Sequence, residues 1–236
     1  MVRAGAIGLA EDMADIEVTV RGTFSAFLSP QRATVTLTVG HQSGSKSQTY
    51  TTTVESANRV TAAVQALSNP SEGPVTWWSS QRLRTWTQKP WNKDGKQLPL
   101  VYYAAVGVQA RFSDFAALAG FLDDVVPLPG VAIDGIAWSL TAVREQEMVA
   151  EARNRAVQDA VAKAADYAGA LGLHSVLPLA VADVGMLGGD VAFHGGGPSG
   201  AAYSRGSASG DGTDPLRLEP EDVEICAQVD ARFVAR

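Results

Sequence analysis

The sequence predicts an α+β protein, a mainly antiparallel sheet with helices packed on one face. Three observations carry that prediction. Apolar and polar residues alternate with period two near both ends of the chain, at Ile16 to Val20 and at Val223 to Phe233. Only three stretches show helical stripes, one of them long and alanine-rich. The elements follow the order β-β-α-β-β-α-β-α-β-β, which lacks the regular alternation of a doubly wound parallel sheet. A chain of 236 residues can bury a sizeable core, as one large domain or two small intertwined ones.

Residues 1–14 read as a disordered lead, and residues 15–236 as the folded domain. Ile16, Val18 and Val20 alternate with Glu17, Thr19 and Arg21, a half-buried strand, and a turn is expected from Gly22 to Pro30. Ala33, Val35, Leu37 and Val39 mark the next strand, stiffened by β-branched neighbours. His41 to Ser47 reads as a loop. A helix follows on the stripe Val54, Ala57, Val60, Thr61, Val64 and Leu67; Thr51 to Thr53 are poor helix formers, and Asn69 to Pro74 stops it. Val75 to Trp86 and Leu100 to Phe112 read as two strands of a hairpin with a long tip, turned by Asp94-Gly95. Ser113 is a capping residue for a helix carrying Phe115, Leu118, Leu122 and Val125. A strand is expected around Val131 to Leu140. The longest helix runs from a cap at Thr141 to Leu171, with Ala152, Ala156, Ala160, Ala164, Ala168 and Leu171 on its buried stripe and Gly172 as its stop. Glu151 with Arg155, and Asp159 with Lys163, are spaced for ion pairs on it. A short strand spans 176–182. Residues 185–212 hold ten of the 23 glycines and read as a flexible loop insertion before the last strand.

Composition narrows the chemistry. Charged residues at 19% and hydrophobic residues at 46% are those of an ordinary globular chain, not of a disordered one. A net charge of −6 argues against nucleic acid as a general partner, since phosphate binding needs a concentrated basic surface. One cysteine and three scattered histidines exclude an internal disulfide and a multi-ligand metal centre of the usual spacing. No run approaches the roughly 18 apolar residues of a membrane helix. The first residues lack the basic start and apolar run of an export signal, so the cytoplasm is the expected compartment, or the periplasm or cell envelope if a leader was removed.

Motif tests remove several enzyme classes. His194-Gly195-Gly196-Gly197 has the shape of an oxyanion loop, but no G-x-S-x-G is present; Gly206 to Gly210 has alanine at its centre. Gly44-Ser45-Lys46-Ser47 lacks the first glycine of a phosphate loop and reads as a turn before a helix. Asp123 and Asp124 are adjacent on a helix, about 100° apart, and do not converge. Cys226 falls on the polar face of the last strand, as an exposed thiol or one buried against a second layer. No catalytic, cofactor-binding or metal residue is assigned. The hairpin tip sets Trp91 among Lys89, Lys93 and Lys96, which suits a subunit contact, a solvated tip or another ligand.

The chain resembles the SIMPL-domain family, also called DUF541, related to periplasmic immunogenic proteins of Gram-negative bacteria. The resemblance lies in Ile16 to Gly22 followed by Pro30 and Ala33 to Val39, in the tyrosine-containing strand Val101 to Val106, and in the alanine-rich helix from Glu151 to Gly172. It implies an α+β fold, homo-oligomeric ring-like or channel-like assembly, a suggestive link to stress responses, and no catalytic residues. The expected function is therefore a non-enzymatic, self-assembling protein whose partner is itself. The candidate subunit contacts are Trp91 and Lys93 at the hairpin, and Ile16, Val18 and Val20 on an edge strand; the last strand is a further candidate edge. The rival expectation is a small-molecule binding protein or enzyme whose site the glycine loop covers.

Overall fold

The structure, a computed structural model, describes residues 15–91, 93, 95–187 and 218–236. The elements among them are β1 (Ile16–Leu28), β2 (Arg32–Ser43), α1 (Lys46–Leu67), β3 (Val75–Ser80), β4 (Arg84–Gln88), β5 (Val101–Phe112), α2 (Phe115–Val125), β6 (Val131–Ser139), α3 (Ala142–Ala170), β7 (Val176–Asp183) and β8 (Val223–Ala235). The α+β class is as predicted. The chain divides into two compact units: the first holds β1, α3, β7 and β8, and the second holds β2 to β6 with α1 and α2.

In the first unit the sheet order is β1-β8-β7, with β7 antiparallel to β8. The alanine stripe of α3, Ala152 to Ala168 in steps of four, is fully buried. It packs with Val18, Val20, Val229, Ala231 and Phe233. Side chains this small let the helix backbone approach the sheet closely. The turn expected at Gly22 does not form there; the strand continues to Leu28. Gly22 answers to α3 instead, because a Cβ on it would run into the carbonyl oxygen of Ala156 and lie 2.8 Å from Ala160 Cβ. Leu171, expected on the buried stripe, is 59% exposed. The helix ends one residue before it. Gly172 at φ +77° lets Leu173 N–H donate to Ala168 O while Gly172 N–H donates to Gly169 O, and Leu173 takes the buried place.

The second unit is a five-stranded antiparallel sheet in which β2 sits between β5 and β6, and β3 and β4 both pair with the outer side of β5. Val35, Leu37, Val39, Val108, Ala110 and Phe112 form its core with Val60 and Val64 of α1 and Leu118, Phe121 and Leu122 of α2. Each large apolar side chain buried in this way contributes about 1.5–3 kcal/mol. The single strand expected from Val75 to Trp86 is two strands. Ser80 pairs with Val108 and Arg84 with Ala105, so the three residues 81–83 face only Val106 and Gly107, and the one residue in excess bulges the chain; Gln81 N–H still donates to Gly107 O. β2 also runs past the expected loop start, carrying His41 into the sheet opposite Ala104.

Helix α1 begins earlier than its threonines suggested. Ser45 caps it, accepting from Gln48 N–H, and the hydroxyls of Thr49 and Thr53 donate back to the carbonyls of Ser45 and Thr49. The cap of α2 is Asp114, not Ser113: Asp114 Oδ1 accepts from the N–H groups of Ala116 and Ala117, while the Ser113 hydroxyl is turned to Gly73 O and Pro74 O.

Candidate functional site

The β4 side and the tip of the β4–β5 hairpin are open to solvent. Every described residue from Arg84 to Pro99 is exposed except Pro90, which is half-buried. Beyond the strand pairing, Leu98 N–H donates to Pro90 O, Trp91 bridges to Gln97, and Gly95 takes φ +73° at the turn. Trp91 stands 67% exposed, Lys93 is exposed, and Leu98 follows Gln97 on the returning segment. The expected turn and tip are present, and no helix of the unit covers them.

The other tryptophans of this edge have their rings engaged. Trp86 stacks on Tyr103 with centroids 5.3 Å apart and planes 9° from parallel. Trp77 carries the Arg111 guanidinium at 5.4 Å. Trp78 packs against the core.

The candidate residues on β1 divide. Val18 and Val20 are buried in the first unit's core, and Ile16 is part-exposed at the strand's start. Among the described residues β1 pairs on one side only, with β8, and its outer edge is open. The last strand cannot serve as an edge: β8 lies between β1 and β7, so both of its sides are paired.

An ion ladder stitches β1 to β8 on the sheet's other face. Asp15 meets Arg236 at 2.9 Å and Arg21 meets Asp230 at 2.7 Å; Glu17 lies 2.8 Å from Arg232 Nε, an ion pair without hydrogen-bond alignment. Asp230 is the best enclosed, its side chain 13% exposed. The Arg21 guanidinium, which donates to it, and the Gly185 N–H hold its carboxyl below the usual carboxylate range, against the opposing push of burial. Arg236 lowers Asp15 in the same way, and Lys163 with Thr23 N–H lowers Asp159. The expected pairs on α3 are present, Glu151 with Arg155 at 2.8 Å and Asp159 with Lys163 at 2.6 Å.

Two features of the second unit had no signal in the sequence. An open cleft of about 500 Å³ lies between the first turn of α1 and the bulge and strand β4, lined by Lys46, Ser47, Tyr50, Leu83 and Thr85. It adjoins a hollow of about 250 Å³ that also reaches Thr49, Thr87 and Tyr102. An ammonium, several hydroxyls and the three phenols of Tyr50, Tyr102 and Tyr103 there offer hydrogen bonds to a small ligand. Further along α1, His41 Nε2 lies 2.9 Å from Ser56 Oγ. Ser56 is 8% exposed, and the pair satisfies polar atoms between α1 and the sheet. Both depend on strand register, which no local spacing encodes.

Cys226 is exposed, as one of its two readings had it. Asp123 and Asp124 are exposed at the end of α2. No group of three or more metal-ligating side chains converges among the described residues, and no helix among them is long and apolar enough to cross a membrane. His194 to Gly197, Gly206 to Gly210 and the glycine-rich stretch from 188 onward lie outside the described residues.

Two units whose segments alternate along the chain, each a helix-covered antiparallel sheet and one closed by an alanine-striped helix, define an α+β class. A family model matches residues 18–233, and the chain belongs to that family: SIMPL, described as a protein of unknown function (DUF541). No curated protein matches the chain.

Proposed function

We propose that this SIMPL protein is a non-enzymatic, self-assembling protein that forms a closed homo-oligomer through β-strand edges. The observation that supports the reading is the outer edge of β1, thirteen residues long and paired on one side only among the described residues. An edge of that length leaves backbone donors and acceptors that a second copy would satisfy. Ile16 and Phe27, exposed towards its two ends, are apolar where a solvated edge favours charge. A head-to-tail contact of this kind closes into a ring when its rotation permits.

The test is the mass of the full chain in solution by light scattering on a sizing column. A discrete mass many times 24.7 kDa is expected. The double variant Ile16→Lys/Phe27→Lys blunts the edge as natural edge strands do, and is expected to shift the mass to monomer with an unchanged circular dichroism spectrum. A monomeric wild type overturns the reading and favours the rival, a small-molecule binding protein or enzyme, for whose ligand the cleft beside Lys46 and Tyr50 is a candidate place among the described residues.

A further inference from the structure

We propose that the β4–β5 hairpin is a docking arm for an anionic lipid surface, with Trp91 entering the headgroup region and the surrounding basic side chains meeting the phosphates. This goes beyond the assembly reading, which uses β1 and does not need the arm.

The first support is charge segregation. Residues 84–105, the paired hairpin and its tip, carry Arg84, Lys89, Lys93 and Lys96 against Asp94 alone, a net +3 in a chain whose total is −6, so the remainder stands at −9. A negative surface repels that remainder and attracts the arm, which orients the molecule before contact. The second support is exposure. Both faces of the β4 strand lie open, and Trp91 and Leu98 are exposed at its tip, where neither stabilises the fold by burial. An indole at the end of a basic hairpin suits the boundary between headgroups and acyl chains, where tryptophan is enriched.

The same geometry disfavours single-stranded nucleic acid. Base stacking needs successive open aromatic faces along a basic groove. Here Tyr103 covers one face of Trp86 and Arg111 one face of Trp77, and in the tip, residues 89–98, Trp91 is the one aromatic side chain. The remaining candidate, the acidic body of a second copy, would make Trp91 and Lys93 the subunit contacts expected from the sequence, and solution mass separates it from lipid.

The experiment uses the full chain and sedimenting vesicles of phosphatidylcholine with one part in three phosphatidylserine, compared with pure phosphatidylcholine. Binding to the anionic vesicles alone is expected, and its loss in high salt. Lys89→Gln/Lys93→Gln is expected to weaken it about 25-fold, at about fivefold per basic residue. Trp91→Ala is expected to weaken it about tenfold. Solution mass and circular dichroism of both variants should match wild type. Equal binding to neutral vesicles, or none to anionic ones, overturns the proposal. So does tighter binding of an oligothymidylate strand that the same variants abolish, or a fall in solution mass on Trp91→Ala.

Discussion

The two units solve one problem, a helix laid on an antiparallel sheet, in opposite ways. In the first, α3 offers alanine at every fourth residue and β1 offers Gly22, so the contact is made by close approach of backbones. In the second, α1 and α2 stand off the sheet and the space is filled by Val60, Val64, Leu118, Phe121 and Phe112. α1 even carries a buried hydroxyl, Thr53 at 0% exposure, whose hydrogen bond goes to its own helix. Close approach leaves no room for added atoms, and filled space tolerates no loss. The first unit should therefore fail on enlargement and the second on truncation.

Phe112→Ala is the severest test. Phe112 is fully buried and its ring lies 5.4 Å from that of Phe121. The variant should lose about 3–5 kcal/mol, read from calorimetric unfolding. Hydrogen exchange should report the lost protection in β2, β5 and α2, with β1, α3 and β8 spared. Gly22→Ala should do the converse at about 3 kcal/mol, exposing amides of β1 and α3 first. Loss of protection throughout the chain in either variant would mean that the units unfold as one, and the contrast between them would collapse. The smallest expected effect comes from Asp230→Asn, about 1–3 kcal/mol, since Asp230 accepts from Arg21 and from Gly185 N–H in the first unit. The folded carboxyl sits below its unfolded value, so its stabilisation is complete above about pH 4 and fades as pH falls through the folded value. Wild type and variant should therefore converge in acid, and a difference that held constant with pH would assign the effect to packing.

What could be read beforehand follows from how local each signal is. The α3 stripe was legible because one residue type recurs at helical spacing, and β5 because alternation persists from Ala104 to Phe112. Gly22 was misread because glycine signals a turn and a close helix contact with the same letter. The break at 81–83 was invisible because Gln81, Arg82 and Leu83 are not turn formers, and only the facing strand, with two residues against these three, shows that one is in excess. Ser113 and Asp114 are adjacent capping types, and which one caps depends on the carbonyls of Gly73 and Pro74, far away in sequence. At the candidate surfaces, the exposure of Trp91 and Lys93 was legible from Asp94-Gly95 and the lysines around it. The inward aim of Val18 and Val20 was legible from alternation. The order β1-β8-β7 was not, since strand neighbours are chosen by tertiary packing; for that reason β8 was a candidate edge until its position between two strands was seen.

The central place of β8 has a consequence for biosynthesis. The second unit is encoded almost wholly in one continuous stretch, and its sheet can close once β6 has left the ribosome. The first unit cannot. β1 is translated before everything else in its sheet, yet its hydrogen-bonding partner is, among the described strands of that sheet, the latest to be made. Through most of synthesis β1 is an unpaired strand with valines exposed, tethered to a nascent chain, and the alanine face of α3 waits with it. That interval is when such a segment is open to chaperones and to wrong partners on neighbouring ribosomes. Slowing elongation between α3 and β8 should therefore lower the yield of folded protein, while leaving the structure of the molecules that do fold unchanged.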